Sequence, residues 1–192
     1  MRLETLLQDS KLELTPKQIE ALENYSKMLL EWGAIHNLTG SKDETKIYQN
    51  ILDSIYPVKF VDEPKSLLDV GSGAGFPAIP LAVVWKNSQM VLAEPRNKRA
   101  SFLRFVAMEL GLESVKVEKK RVENLDLEPF ELITSRAVNK VEDLIKITAH
   151  LSNKDTEFLF YKGENLQNEI KSLREDSYQI VSRGLRNYLY IC

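Results

Sequence analysis

With 192 residues, 43% of them hydrophobic, the chain is long enough to bury a full core and short enough to form one domain of ordinary size. Its 26 lysines and arginines against 28 acids leave a net charge of -2, so a polyanionic partner would have to be met by a local basic surface rather than a global field. The one cysteine, Cys192, excludes a disulfide framework, a cysteine-based zinc site and a cysteine nucleophile mid-chain. The acid-bearing start MRLETLLQDSKLE is unlike a leader, and no run approaches the roughly 18 apolar residues of a membrane span, so a soluble cytoplasmic protein is expected.

The first sixty or so residues read as helices. In LTPKQIEALENYSKMLLEW, Thr15 is placed as N-cap, Pro16 as first helical residue and Gln18 as the reciprocal capping partner. Ile19, Leu22, Leu29 and Leu30 then recur at helical spacing. A second helix is expected from about Asp43 to Tyr56, ended by Pro57, after the loop GAIHNLTGSK. From Ser66 the pattern changes to strands at 66–70, 89–93, 115–118, 130–134 and 157–161, with helices near 76–86, 97–110, 138–151 and 163–174. The connection 119–129 carries no clear helical pattern. Alternation of this kind predicts a parallel sheet with helices on both faces. The tail SYQIVSRGLRNYLYIC predicts two strands turning at Gly184, an antiparallel hairpin that a purely parallel dinucleotide fold would not need. Residues 1–60 are expected to form a helical cap on a core of 61–192, in one compact unit.

The stretch SLLDVGSGAGFPAIPLAVVW runs a strand into Asp69, then Gly71, Gly73 and Gly75, then a helix, which places a loop at the carboxyl edge where open α/β sheets bind ligands. A Walker loop is excluded, because no Gly-Lys-Ser/Thr follows. A dinucleotide fingerprint is nearly present, but Phe76 occupies its third glycine position. Asp69 would disfavour a pyrophosphate and favour the ammonium and sulfonium charges of S-adenosylmethionine. Glu94, at the end of the second strand, is placed to accept both hydroxyls of an adenosine ribose, a charge-assisted pair worth about 1.5–3 kcal/mol.

Beyond the loop the candidates have plainer alternatives. In KKRVENL the Val122–Glu123 backbone would meet an adenine edge, or the segment is a solvated charged loop. In TSRAVN, Arg136 would pair with the donor's carboxylate or with a substrate phosphate. In YKGEN, Lys162 would face a phosphate or be a plain surface lysine. Arg96, Lys98, Arg99 and Arg104, with Lys116, Lys119, Lys120 and Arg121, form either a nucleic-acid patch or solvated faces. His36 and His150 lack ligand spacing, and Trp32 and Trp85 lie in apolar helical stripes, so no metal is expected and both tryptophans are assigned to the core. No cysteine follows the fourth strand, and TSRAVN lacks the polar residue and paired prolines common in exocyclic-amine methylases. What remains is a nucleophile with a free lone pair. Guanine N7 is one, and attack from it needs alignment and electrostatics but no general base.

Taken together, YSKMLLEWGAIHNLTG, ILDSI, LLDVGSGAGFPAIPLA, RNKRASFLR, RVENL, ITSRAV and YKG, in this order, resemble the ribosomal RNA small subunit methyltransferase G family, also called the glucose-inhibited division protein B family. The resemblance covers most of the chain. It implies a class I, Rossmann-like S-adenosylmethionine-dependent methyltransferase: an α/β fold with a seven-stranded mixed sheet, an antiparallel C-terminal hairpin and an N-terminal helical extension. It implies N7 methylation of one guanine in the decoding-region stem-loop of 16S ribosomal RNA, on the RNA or the small subunit, by a monomer. Donor contacts carried over fall on Gly71, Phe76, Val122, Glu123 and Arg136. Asn37, Thr39, Asp53, Arg99 and Lys162 are assigned to the RNA side. Two positions depart from the family pattern, Asn50 where a histidine is common and Ala78 where a glycine is common. A nicotinamide-dependent oxidoreductase and a non-catalytic ribosome assembly factor are the rival readings.

Overall fold

The computed structural model describes residues 2–36, 43–136, 140–163, 166–170, 174 and 177–192. Asn37 and Thr39 lie outside the described residues, as does Ala137–Asn139. Three helices come first: α1 (Leu3–Asp9), α2 (Pro16–His36) and α3 (Glu44–Ile55). At the head of α2 the expected capping box is present, with Gln18 N donating to Thr15 Oγ1 at 3.3 Å and Thr15 N to Gln18 Oε1 at 2.9 Å. Asp43 caps α3 by accepting from Thr45 N at 2.9 Å, and Pro57 sits in the short 3-10 turn Tyr56–Lys59 that ends it.

Strands and helices then alternate: β1 (Ser66–Val70), α4 (Ala78–Val84), β2 (Gln89–Ala93), α5 (Asn97–Glu109), β3 (Val115–Glu118), β4 (Leu132–Arg136), α6 (Val141–Thr148), β5 (Glu157–Lys162), α7 (Leu166–Glu169), β6 (Tyr178–Arg183) and β7 (Arg186–Ile191). The seven strands lie in the order β3-β2-β1-β4-β5-β7-β6. All neighbours from β3 to β5 run parallel, while β7 is antiparallel to both β5 and β6, as the tail predicted. Between β3 and β4 the described regular structure is one 3-10 turn, Val122–Asn124.

Among the described residues the helix expected near 163–174 is confined to Leu166–Glu169, and three further boundaries differ from the sequence expectation for identifiable reasons. The fourth strand begins at Leu132, not at residue 130, because Phe130 N and Glu131 N bond outside the ladder, to Leu151 O and Ser66 Oγ at 3.0 Å each. It therefore extends through Arg136, which pairs in register with Tyr161. The helix after the glycines starts only at Ala78, since Gly75 to Pro77 still belong to the loop, and Trp85 ends it in an extended conformation. The sixth helix gives way at Ala149 to a 3-10 turn ending at Leu151.

Side chains alternate across the sheet with the period of two that a strand imposes. Leu67, Leu92, Leu132, Leu159 and Tyr188 join the buried cluster under α1 to α5. Leu68, Ala93, Ile133, Phe160 and Leu189 join the one under α6 and the Val122–Leu125 segment. The N-terminal helices share the first cluster, with Leu3, Leu22, Leu29, Ile47, Ile51 and Leu52 all fully buried. Trp85 is buried there too, and Trp32 packs on Phe102 and Phe105 with ring centroids 5.3 and 5.4 Å apart. His150 bonds the Leu125 carbonyl at 3.2 Å, which fits a satisfied histidine.

Candidate active site at the carboxyl edge

β1 delivers Asp69 to the carboxyl edge on the same face as Leu67, toward the N-terminal helices. The chain then turns through glycines with φ of 72° at Gly71, 60° at Gly73 and 107° at Gly75. At Gly75 a Cβ would lie 2.7 Å from both Ile79 Cγ1 and the Tyr25 hydroxyl, so a side chain is excluded by space as well as by backbone. The loop is tied to β2, with Gly71 N donating to Ala93 O at 2.9 Å.

Asp69 is fully buried, and neither carboxylate oxygen has a hydrogen-bond partner. Ser72 Oγ donates to the main-chain carbonyl of Asp69 at 3.2 Å. Burial pushes the Asp69 carboxyl up to about 7, with the Ser72 hydroxyl opposing and the Glu94 charge adding to the rise. A buried acceptor with no donor is the feature a cationic ligand would satisfy.

Glu94 is 3% exposed and lies at the end of β2, two residues past Leu92, the register partner of Asp69. One of its oxygens accepts from Gly73 N and the other from Arg96 N, both at 2.9 Å. Each oxygen retains a second lone-pair direction, so the carboxylate that shapes the loop can still receive ribose hydroxyls. Beside it, β3 ends at Glu118, whose carbonyl accepts from Glu94 N at 3.0 Å. The turn after β3 holds Val122 buried and Glu123 exposed.

Arg136 closes the other side. Its Nη2 donates to Asn50 Oδ1 and its Nη1 to Asn50 O at 3.4 Å, and its guanidinium lies 5.4 Å from the centre of the Phe76 ring. Burial, with the nearby Arg186 charge, holds its pKa below the usual guanidinium value. Asn50, the position of the missing family histidine, is thus the acceptor for the arginine of the site.

The remaining sequence candidates disperse. Lys162 is 7% exposed and donates to Glu169 Oε2 at 2.7 Å. Strand alternation sends it to the face of Phe158 and Phe160, opposite to Arg136. Asp53 bridges the C-terminal hairpin, with Arg183 Nη1 at 2.9 Å and Arg186 Nε at 3.5 Å. Arg99 is half-buried, and its Nη1 approaches within 3.9 Å of a Cβ built on Gly73, so it borders the loop itself. Arg96, Lys98, Lys119, Lys120 and Arg121 are exposed around the ends of β2 and β3. Arg104 instead bonds Val117 O at 3.0 Å and Lys116 pairs with Glu118 at 2.8 Å.

No sequence pattern assigned a role to Tyr25, although a tyrosine sharing a helical stripe with Leu22 and Leu29 must find a partner for its hydroxyl. It donates to Ala74 O at 2.7 Å, inside the loop. A cavity of about 670 Å³ between Lys17, Lys86 and the Gly111–Ser114 turn opens at the amino ends of the strands and includes none of these residues. The chemistry therefore gathers at the carboxyl edge, as the topology of an open α/β sheet favours.

The solved structures it resembles include a ribosomal protein L11 methylase from Lactobacillus delbrueckii, with a TM-score of 0.59, 18% identity, and 78% of this chain and 79% of the other covered. MtNAS in complex with S-adenosylmethionine matches with a TM-score of 0.57 and 14% identity, over 90% of this chain and 72% of that one. These likenesses concern the fold, which is that of class I methyltransferases. Among curated proteins, the ribosomal RNA small subunit methyltransferase G of Aliarcobacter butzleri is 41% identical over 98% of this chain and 97% of its own length. Its namesake in Wolinella succinogenes is 42% identical over 91% of this chain and 89% of its own. The sequence profile described as rRNA small subunit methyltransferase G matches residues 18–186. By sequence along nearly its whole length, the chain belongs to the rRNA small subunit methyltransferase G family.

Proposed function

We propose that the protein methylates N7 of one guanine in the decoding-region stem-loop of 16S ribosomal RNA, with S-adenosylmethionine as donor. Membership of the family makes it a small-subunit ribosomal RNA methyltransferase. The single observation that supports the donor reading in the geometry is the buried, unpartnered carboxylate of Asp69 beside a glycine loop clamped by Glu94.

The residues fit the donor. Asp69 offers negative charge in a water-excluded place, where it acts on a cation far more strongly than in water. Glu94 offers free lone pairs for ribose hydroxyls, and Gly71, Gly73 and Gly75 allow close approach of the backbone. The Val122–Glu123 turn borders the adenosyl side, while Arg136, its guanidinium over the Phe76 ring, stands where a carboxylate or a phosphate would be met. When bound, S-adenosylmethionine supplies an electrophilic methyl on a sulfonium, and a bond from N7 to that carbon forms as the carbon–sulfur bond breaks. Guanine N7 carries an unprotonated lone pair on the major-groove edge, so no residue of this chain has to remove a proton. The work left to the protein is orientation and charge placement.

On the RNA side the exposed basic residues around β2 and β3 would meet phosphates, and Asn37 and Thr39 remain assigned to the same role. Asp53 and Lys162 would act there through the hairpin and α7 that they hold. Residues 1–60 act as a cap on the 61–192 core. A ribosomal substrate supports reading the protein as cytoplasmic, and it is read as a monomer acting on the RNA or the small subunit. Incubation with labelled donor and small-subunit RNA, followed by strand cleavage selective for N7-methylated guanine, should give one break within the decoding-region stem-loop. Label at another atom or another base would refute the assignment.

A further inference from the structure

We propose that the N-terminal helices complete the donor site through two positioning residues, Tyr25 of α2 fixing the glycine loop at Ala74 and Asn50 of α3 fixing Arg136 against Phe76. The inference rests on reading the carboxyl edge as the donor site.

Ala74 is flanked by Gly73 and Gly75, both with positive φ, and a segment so rich in glycine has little conformational preference of its own. Its geometry has to be imposed from outside. Glu94 holds it at Gly73 N from the sheet side. From the helix side, Tyr25 is fully buried and its hydroxyl donates to the Ala74 carbonyl at 2.7 Å. The contact is close packed, since a Cβ on Gly75 would come within 2.7 Å of the same hydroxyl. The loop is thus gripped from both sides, once at an amide and once at a carbonyl.

The Tyr25 ring also leans on Phe76, with centroids 5.4 Å apart and planes at 58°. The Arg136 guanidinium lies over the same Phe76 ring at 5.4 Å, and its two Nη atoms go to the side chain and main chain of Asn50. Tyr25, Phe76, Arg136 and Asn50 therefore form a continuous line from α2 through the loop and β4 to α3. A purely structural role for Tyr25 would be met by any aromatic ring in the stripe with Leu22 and Leu29. The hydroxyl is what the core does not need and the loop does.

Calorimetric titration with S-adenosylmethionine separates these roles. Tyr25→Phe keeps the ring and should weaken donor binding about three- to tenfold, the effect of removing one net hydrogen bond. The melting temperature of the free protein should fall by no more than the few degrees one buried hydrogen bond is worth, leaving it fully folded at assay temperature, and the KM for donor should rise while kcat at saturating donor and RNA is retained. Asn50→Ala should weaken binding to a similar extent, whereas Asn50→Asp, which keeps the acceptor for Arg136, should bind more tightly than Asn50→Ala. Because both residues act through Phe76, the double variant Tyr25→Phe/Asn50→Ala should depart from the product of the two single effects. Wild-type donor affinity in Tyr25→Phe or in Asn50→Ala overturns the inference, as does a loss of affinity that merely follows a loss of thermal stability. If the wild-type protein itself failed to bind donor, the donor-site reading would fall, and this inference with it.

Discussion

A carboxyl group shut away from water ionises reluctantly, and burial holds Asp69 at about 7 against an ordinary 3.8, despite the opposing Ser72 hydroxyl. Between those values the folded chain binds a proton that the unfolded chain has released. Stability is therefore whole below about pH 4 and is lost progressively as pH rises to about 7, by on the order of 4 kcal/mol. Asp69→Asn removes the penalty. The variant should melt higher than wild type near pH 8 in the absence of ligand, the difference closing as pH falls toward 4, while donor affinity drops. Melting curves that stay parallel across this range would show that Asp69 is not the group responsible. Gly75 makes a steric case: Gly75→Ala meets both a φ of 107° and contacts of 2.7 Å, so a loss of about 3 kcal/mol or more is expected in denaturant melts. Asp69, Glu94 and the glycines were readable because an acid at a strand end beside such a loop is a local pattern. Tyr25 was not, because no local pattern says which helix will cover the loop.

Helix and strand boundaries show the same division at the next scale. The start of α2 was legible from Thr15, Pro16 and Gln18, since a capping box is satisfied within four residues. The same Gln18 has a second, tertiary use that no spacing reveals, as its Nε2 donates to Val83 O at 3.2 Å and Val84 O at 3.4 Å at the end of α4. Gln18→Ala should therefore cost about 1–2 kcal/mol, more than an exposed cap alone, and lower the melting temperature by several degrees. A change indistinguishable from that of an exposed polar residue would discount the contact with α4. The fourth strand was displaced by two residues because Phe130 and Glu131 are strand-like in sequence but have their amides engaged by Leu151 and Ser66. Asp53, assigned to the RNA side with the other cap residues, anchors the β6–β7 hairpin to α3 through Arg183 and Arg186. That contact joins residues more than a hundred positions apart in the chain.

The molecule as a whole carries a net charge of -2, yet Arg96, Lys98, Lys119, Lys120 and Arg121 are exposed around the carboxyl ends of β2 and β3. Polyanion binding by such a rim depends on salt through counterion release. Lys119→Ala/Lys120→Ala should weaken RNA binding, lower the slope of log K against log salt by about 0.7–0.9 for each phosphate no longer neutralised, and leave donor affinity unchanged. An unaltered slope would remove this rim from the RNA interface. Arg99 is less suited to that test than its place among basic residues suggested, because its guanidinium borders Gly73.

The sequence by itself determined the alternation of strands and helices, the terminal hairpin, and the acid and glycine signature of the loop after β1. Each of these is encoded over a few residues by periodicity, turn chemistry or backbone freedom. Only the tertiary structure decided which face each strand-end side chain takes, so that Arg136 faces the glycine loop while Lys162 faces the opposite side and pairs with Glu169. It also decided that α2 and α3 reach the loop through Tyr25 and Asn50, for such contacts depend on how distant segments pack to bury a common core.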